Sequence, residues 1–148
     1  MSELPTEYIP ADDSDKSYFH ELNKVCYIDV VTRQFGSWDD ELQTEYFDVK
    51  WQTQDFNKII RHGQLVGGVW LDKLEDSYQL KEIQIHPDHQ NQGIGRSVLD
   101  DVIATAQHAE KRLWLKVLHQ NQAVDLYKRL GFTVTAKTEA QYIMEYRP

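Results

Sequence analysis

The sequence predicts an α/β fold, in which helices flank a central sheet, and three patterns predict it. Apolar side chains recur three and four positions apart over residues 94–106, as in an amphipathic helix packed on a sheet. Side chains alternate over residues 113–118 in the manner of a strand. Such patterns follow one another along the chain in the order β-α-α-β-β-β-α-β-α-β-β, which predicts one mixed α/β sheet.

The N-terminal region is predicted to form a short strand and a long helix. The strand covers residues 8–9 and ends at Pro10. Asp12 or Asp13 then caps a helix that runs to about residue 34, because a carboxylate accepts hydrogen bonds from the free N–H groups of a first turn. The apolar face of this helix is formed by Phe19, Leu22, Cys26 and Val30.

A second helix is predicted directly after the first. Phe35-Gly36 ends the first helix, and Ser37 or Asp39 caps the second. The pattern that predicts the second helix consists of Leu42, Tyr46 and Val49.

The middle of the chain reads as a β-hairpin followed by a further strand. Residues 58–61 and 65–71 form the two hairpin strands, joined by His62-Gly63. A polar turn over residues 73–77 leads into a strand over 78–85.

A last helix and two closing strands complete the predicted sheet. The helix ends at Gly131, and residues 132–136 and 141–146 form the strands. The residues predicted to line one face of this helix are Ala123, Leu126, Tyr127 and Leu130.

Composition and charge favour a single globular domain and argue against a protein that binds nucleic acid or anionic lipid. A chain of 148 residues with 41% apolar and 27% charged residues predicts a single globular domain over residues 1–148. The formal charge of −8 argues against broad electrostatic binding to nucleic acid or anionic lipid. No apolar run approaches a signal peptide or a membrane span. Cys26 is the single cysteine, which fits a reducing, cytoplasmic compartment, and we expect it to be a buried structural thiol.

The most informative segment is Gln90-Asn91-Gln92-Gly93-Ile94-Gly95-Arg96, which falls between a predicted strand and a predicted helix. A helix start carries free N–H groups and the positive end of the helix dipole, so it suits an anion. Gly93 can adopt a positive φ, and Gly95 lets a ligand approach the backbone. The segment therefore predicts a pyrophosphate-binding loop.

Two familiar phosphate-binding motifs do not fit this loop. The dinucleotide fingerprint needs a third glycine, and Val98 stands in its place. The nucleoside-triphosphate loop needs a G-K-[ST] triplet, which the sequence lacks.

The pattern that remains, Q-x-x-G-x-G, resembles the coenzyme-A loop of the GNAT superfamily, the acyl-CoA-dependent N-acyltransferases. Residues 121–132 follow the pattern N-x-A-x-x-L-Y-x-x-L-G-F. This pattern resembles the C-terminal signature of that family. The run Ile83-Gln84-Ile85-His86-Pro87-Asp88 resembles the strand before its loop. The matched core covers about residues 78–132.

The resemblance implies the acyl-CoA N-acyltransferase fold, a mixed and mostly antiparallel sheet with two splayed central strands. It implies acetyl-CoA as co-substrate, a primary amine of a small molecule or a protein as acceptor, and direct attack in a ternary complex without a metal. A non-catalytic acyl-CoA sensor or binding module of the same fold is the alternative. Whether the protein is a monomer or a homodimer stays open.

The resemblance also assigns cofactor-binding residues. Backbone N–H groups of residues 90–96 hold the pyrophosphate. The backbones of Ile83 and Ile85 pair with the pantetheine arm like an added strand, although their side chains alone read as strand core. Asn121 bonds the pantetheine, or Gln120 does, since Gln120 stands seven residues before Tyr127 as the family's asparagine often does.

Two residues are the catalytic candidates. In the family, the tyrosine at the position of Tyr127 directs its hydroxyl at the coenzyme sulfur and can protonate the leaving thiolate. Core packing is the simpler interpretation of the same residue. Glu82 is the candidate base for the amine, directly or through a water, and a solvent-facing strand residue is its simpler interpretation. The position of the base on the following strand in some members is Lys116 here.

Overall fold

The computed structural model describes residues 6–53 and 55–147, and within them seven strands and four helices follow one another in the predicted order. The strands are β1 (Glu7–Pro10), β2 (Asn57–Arg61), β3 (Gln64–Lys73), β4 (Ser77–Ile85), β5 (Arg112–Leu118), β6 (Phe132–Lys137) and β7 (Gln141–Tyr146). The helices are α1 (Lys16–Phe35), α2 (Asp40–Trp51), α3 (Ile94–His108) and α4 (Ala123–Leu130). Short 3₁₀ turns at Asp13–Asp15 and Pro87–His89 were not predicted.

The strands form a sheet in the order β1-β2-β3-β4-β5-β7-β6. The pairs β1–β2, β2–β3, β5–β7 and β6–β7 are antiparallel, whereas β4 and β5 are parallel. The predicted fold class, a mixed and mostly antiparallel α/β sheet with flanking helices, is therefore confirmed. The parallel ladder joins Ser77–Leu80 to Arg112–Leu115, and β4 continues beyond it to Ile85. The splaying of the two central strands stays a prediction.

The chain divides into two compact units. Among the described residues, the first contains those up to Trp70 together with Glu82–Gly95, and the second contains Leu71–Lys81 together with those from Arg96 onward. The single domain over residues 1–148 stays a prediction. No helix within residues 6–53 and 55–147 is both long and apolar enough to span a membrane.

The first unit has an aromatic core to which α1, α2 and β3 contribute. Asp12 caps the 3₁₀ turn that leads into α1, and Gly36 ends α1 at a φ of +92°. Asp39, and not Ser37, caps α2, since its Oδ1 accepts a hydrogen bond from the Leu42 N–H at 3.1 Å. The core consists of Phe19, Leu22, Phe47, Trp51, Phe56 and Trp70.

The buried face of α2 differs from the pattern that predicts the helix. Phe47 and Trp51 are buried, whereas Leu42, Tyr46 and Val49 are exposed by 39%, 55% and 66%. Both sets recur at helical spacing, so periodicity indicates the helix without indicating which set faces the core.

The strand β3 lies very close to β4 in the first unit. His62 and Gly63 adopt φ values of +53° and +74° in the β2–β3 turn, as the predicted hairpin requires. A Cβ atom on Gly67 would lie 2.0 Å from the carbonyl oxygen of Gln84. Glycine at position 67 therefore permits the approach of the strand that carries the candidate site.

The second unit follows the predicted periodicity more closely. The predicted apolar stripe of α3 and the alternating residues Leu113, Leu115 and Val117 of β5 are buried. Gly131 ends α4 at a φ of +111°. In α4, however, Val124 joins Tyr127 as a buried residue, while the other predicted members of the face are half-buried: Ala123, Leu126 and Leu130.

Candidate active site

The end of β4 is tied to the loop that follows it. The Gln90 side chain folds back, and its Nε2 donates a hydrogen bond to the Ile85 carbonyl oxygen at 2.8 Å. His86 braces the intervening 3₁₀ turn, because its Nδ1 accepts from the Asp88 N–H at 3.1 Å. The Gln90 amide thus supports the loop, and any contact of Gln90 with a pyrophosphate would have to come from its remaining polar groups.

Two residues of this loop adopt left-handed backbone conformations. Asn91 has a φ of +64° and Gly93 a φ of +78°, and both are exposed together with Gln92. Apart from Gly93 and its two chain neighbours, none of the described residues has an atom within 4 Å of the Cβ that a larger residue would carry at this position. The need for glycine at position 93 is therefore one of backbone conformation and not of space.

The loop ends where α3 begins. Ile94 is buried, so its side chain belongs to the core and only its backbone is available to a ligand. A Cβ on Gly95 would have a single neighbour within 4 Å, Ile85 Cγ1 at 3.9 Å. The backbone at Gly95 therefore faces open space, as a ligand-binding loop requires.

Glu82 is the centre of a partly buried polar network in the first unit. Its Oε1 accepts from Lys50 Nζ at 2.7 Å, and its Oε2 accepts from the Tyr27 hydroxyl. Gln84 Nε2 donates to Asn23 Oδ1 at 3.1 Å and lies 3.5 Å from Glu82 Oε2. Because Glu82 is buried, its interpretation as a solvent-facing strand residue is wrong.

Sequence reasoning did not identify the partners of Glu82. Asn23 and Tyr27 stand four residues apart on α1, and Lys50 lies in the last turn of α2. The i, i+4 spacing of two polar residues beside the apolar stripe of α1 is the signal that indicates a polar contact there. Nothing local indicates that the contact is made to β4.

Cys26 lies beside this network, on the same helix as Asn23 and Tyr27. Its thiol donates a hydrogen bond to the Ile85 carbonyl oxygen, with 3.3 Å between Sγ and O. Burial, and next the negative charge of Glu82, raise the pKa of the thiol to about 11. The thiol is therefore protonated near neutral pH, which fits the predicted structural role, but Cys26 is half-buried and not buried as expected. The Ile85 carbonyl oxygen accepts both this bond and the one from Gln90, so Ile85 would have to reach a pantetheine arm through its N–H.

The remaining predicted residues belong to the second unit. Arg96 is exposed in the first turn of α3. Asn121 precedes the N-cap residue of α4, and its Oδ1 accepts a hydrogen bond from the N–H of Ala123, the first residue of the helix, at 2.9 Å. Gln120 is exposed. Tyr127 is 6% exposed, and its ring centroid lies 5.7 Å from that of Phe132. Glu82, Ile83, Ile85 and residues 90–95 thus belong to the first unit, and Arg96, Gln120, Asn121 and Tyr127 belong to the second.

Half-burial distinguishes Ile83 and Ile85 from the other β4 side chains of the first unit. Glu82 and Gln84 are buried on one face of the strand, whereas Ile83 and Ile85 on the other face are half-buried. The expectation that these isoleucines are plain strand core is therefore met only in part. Within the described part of the chain, no group of three or more His, Cys, Asp or Glu residues could hold a metal ion.

Comparison with known sequences identifies a family and individual relatives that match this chain. The acetyltransferase (GNAT) domain family matches residues 54–134. The ribosomal protein bS18-alanine N-acetyltransferase of Haemophilus influenzae is 32% identical over 125 residues, which cover 84% of this chain and 77% of that protein. The L-amino acid N-acyltransferase MnaT of Escherichia coli is 40% identical over 57 residues, or 37% of this chain and 33% of that protein.

These sequence matches cover only part of some of the relatives. The chain spans 33% of MnaT and 52% of the bS18-alanine N-acetyltransferase of Escherichia coli. Among solved structures, the PaiA N-acetyltransferase from Thermoplasma acidophilum in complex with coenzyme A has a TM-score of 0.74, at 17% identity over 98% of this chain and 100% of that chain. At this identity the likeness shows the fold.

Proposed function

The chain belongs to the GNAT acetyltransferase family, and from this premise we propose that it transfers an acetyl group from acetyl-CoA to a primary amine. The amine attacks the thioester directly, so no covalent enzyme intermediate is needed, and the protonated Cys26 thiol is consistent with that route. A single cytoplasmic domain that is a monomer or a homodimer completes the proposal.

The observation that carries the proposal is the backbone of residues 90–95. Asn91 and Gly93 adopt left-handed conformations immediately before α3, in an exposed loop that the Gln90 side chain ties to the end of β4. Such a loop directs successive N–H groups toward an anion at a helix start. The coenzyme A bound to the structurally similar PaiA enzyme supports a CoA pyrophosphate as that anion.

The proposed chemistry assigns one role to each candidate. Backbone N–H groups of residues 90–96 hold the pyrophosphate, and backbone groups of Ile83 and Ile85 align the pantetheine arm. A strand N–H polarises the thioester carbonyl. Tyr127 protonates the leaving thiolate, and Glu82 accepts the proton of the amine. Asn121 contacts the pantetheine through polar groups other than the hydrogen bond that its Oδ1 accepts from Ala123.

An acyl-CoA sensor or binding module is the second candidate, and one observation favours it. Both carboxylate oxygens of Glu82 already accept hydrogen bonds from Lys50 and Tyr27. A sensor needs the CoA loop but no base for an amine. The hydrogen bonds that Lys50 and Tyr27 make to Glu82 would therefore not impair a sensor.

Turnover with a panel of amines tests the proposal. The relatives are named for acylating an L-amino acid and the alanine of a ribosomal protein, so the panel begins with L-amino acids and alanine-terminated peptides. Lysine peptides, polyamines and aminoglycosides extend it. We expect release of the CoA thiol that depends on at least one of these amines. Binding of acetyl-CoA with no amine-dependent release would favour the sensor.

Substitution of Glu82 by Gln tests the proposed base. We expect kcat to fall by about 100-fold near pH 6, where most of the amine is protonated, with part of the loss recovered as the pH rises. Glu145→Gln is the matched control, because Glu145 is a carboxylate held by Arg112 and Arg147 in the second unit. A pH–rate profile that is unchanged in Glu82→Gln would exclude Glu82 as the base.

A further inference from the structure

Lys50 places a primary ammonium group on the proposed catalytic base. Its Nζ lies 2.7 Å from Glu82 Oε1, which is a charge-assisted hydrogen bond. The side chain of Lys50 is 33% exposed, whereas that of Glu82 is 10% exposed. The carboxylate is therefore buried, and the ammonium that covers it reaches solvent.

Of the two carboxylate oxygens of Glu82, Oε1 has the fewer hydrogen-bond partners. Tyr27 donates its hydroxyl hydrogen to Oε2, and Gln84 Nε2 lies 3.5 Å from the same oxygen. Oε1 is held by Lys50. An acceptor ammonium that is to be deprotonated by Glu82 would meet least competition at Oε1, where it would replace a group of identical chemistry.

We propose that Lys50 is an internal competitor of the acceptor, and that a cationic primary amine displaces its Nζ from Glu82 Oε1 before acetyl transfer. The inference rests on the proposed function and specifies the acceptor class. One ammonium replaces another, so the buried carboxylate is never left without a cation. A neutral or anionic acceptor would leave it uncompensated and is therefore disfavoured.

The character of Lys50 suits such an exchange. Lysine carries a compact charge on a flexible four-carbon stem, and a partly exposed lysine can return its ammonium to water at small cost. The exchange still lowers the apparent affinity for the acceptor, because only the fraction of molecules with Oε1 vacant can bind it.

Kinetics of Lys50→Gln test the inference with the best acceptor of the panel. Removing the competitor should lower the KM for the amine by about threefold to tenfold, with no fall in kcat. Lys50→Arg restores the ion pair and should restore a KM close to that of the wild type. Lys58→Gln is the control, since Lys58 forms a comparable pair with Asp15 at 3.2 Å.

A merely structural role for Lys50 gives the opposite result. It predicts a lower Tm and a lower kcat in Lys50→Gln, with an unchanged or higher KM. Either of those KM values would overturn the inference.

A binding measurement separates this inference from the proposed function. NMR of the lysine side-chain ammonium groups, with the Lys50 signal assigned by its loss in Lys50→Gln, can be followed while alanine amide is added. We expect the Lys50 signal to move toward that of a solvated lysine while the Lys58 signal stays in place. Absence of turnover in the wild type would reject the proposed function, whereas a Lys50 signal that does not respond would reject the competitor.

Discussion

Tyr127→Phe is expected to lower kcat by about 100-fold or more, while folding and acetyl-CoA affinity stay nearly unchanged. The substitution removes one hydroxyl from a side chain that is 6% exposed and packs its ring against Phe132. Phenylalanine fills the same space, so a packing role alone predicts a small change in both stability and rate. A proton donor to the leaving thiolate predicts the large loss.

Tyr146→Phe provides the matched control for this prediction. The Tyr146 ring also packs on Phe132, with 5.5 Å between the ring centroids, in the same compact unit. Its hydroxyl has no role in the proposed chemistry, so kcat should stay within about twofold of the wild type. The two variants together separate the loss of a hydroxyl from the disturbance of the ring cluster.

The identity of the leaving group tests the acid role more sharply. A thioester whose thiol is more acidic than that of CoA needs less protonation as it leaves. The defect of Tyr127→Phe should therefore shrink with such a thioester. A defect of equal size with both thioesters would make Tyr127 an orienting or packing residue.

Gly93→Val is expected to weaken acetyl-CoA binding by about tenfold or more. Gly93 has a φ of +78°, a conformation that costs a β-branched residue on the order of 1–3 kcal/mol. The surrounding space is open, so valine would not clash and the loop would relax to another backbone conformation. That relaxation redirects the N–H groups proposed to hold the pyrophosphate.

Gly63→Val is the control for the loop variant. Gly63 has a φ of +74° and equally open surroundings, but it lies in the β2–β3 turn. Its substitution should cost similar stability and leave acetyl-CoA affinity unchanged. Calorimetry that finds the wild-type affinity in folded Gly93→Val would show that the loop does not hold the pyrophosphate.

The elements of the fold were predictable because their signals are local. Helical spacing and alternation indicate α3 and β5, and left-handed glycines at positions 36 and 131 mark the ends of α1 and α4. The buried face of α2 was not predictable in the same way. Two apolar sets share its period, and only tertiary packing selects Phe47 and Trp51 over Leu42, Tyr46 and Val49.

The candidate site was predictable in its loop and not in its network. The glycine spacing of residues 90–96 indicates where the backbone needs a positive φ or a close approach of a ligand, and this can be predicted from the sequence. Glu82 meets Lys50 and Tyr27 across 32 and 55 residues of sequence. Such pairs depend on how helices pack on the sheet, which no local pattern encodes.

The stoichiometry of the reaction tests the central claim most directly. Purified protein is incubated with acetyl-CoA and an amine from the panel, and the free CoA thiol and the N-acetylated amine are measured in the same samples. Direct transfer predicts that both products form at equal rates and that neither forms at that rate without the amine. Saturable binding of acetyl-CoA with no N-acetylated product from any amine would contradict the claim and leave an acyl-CoA-binding protein of the same fold.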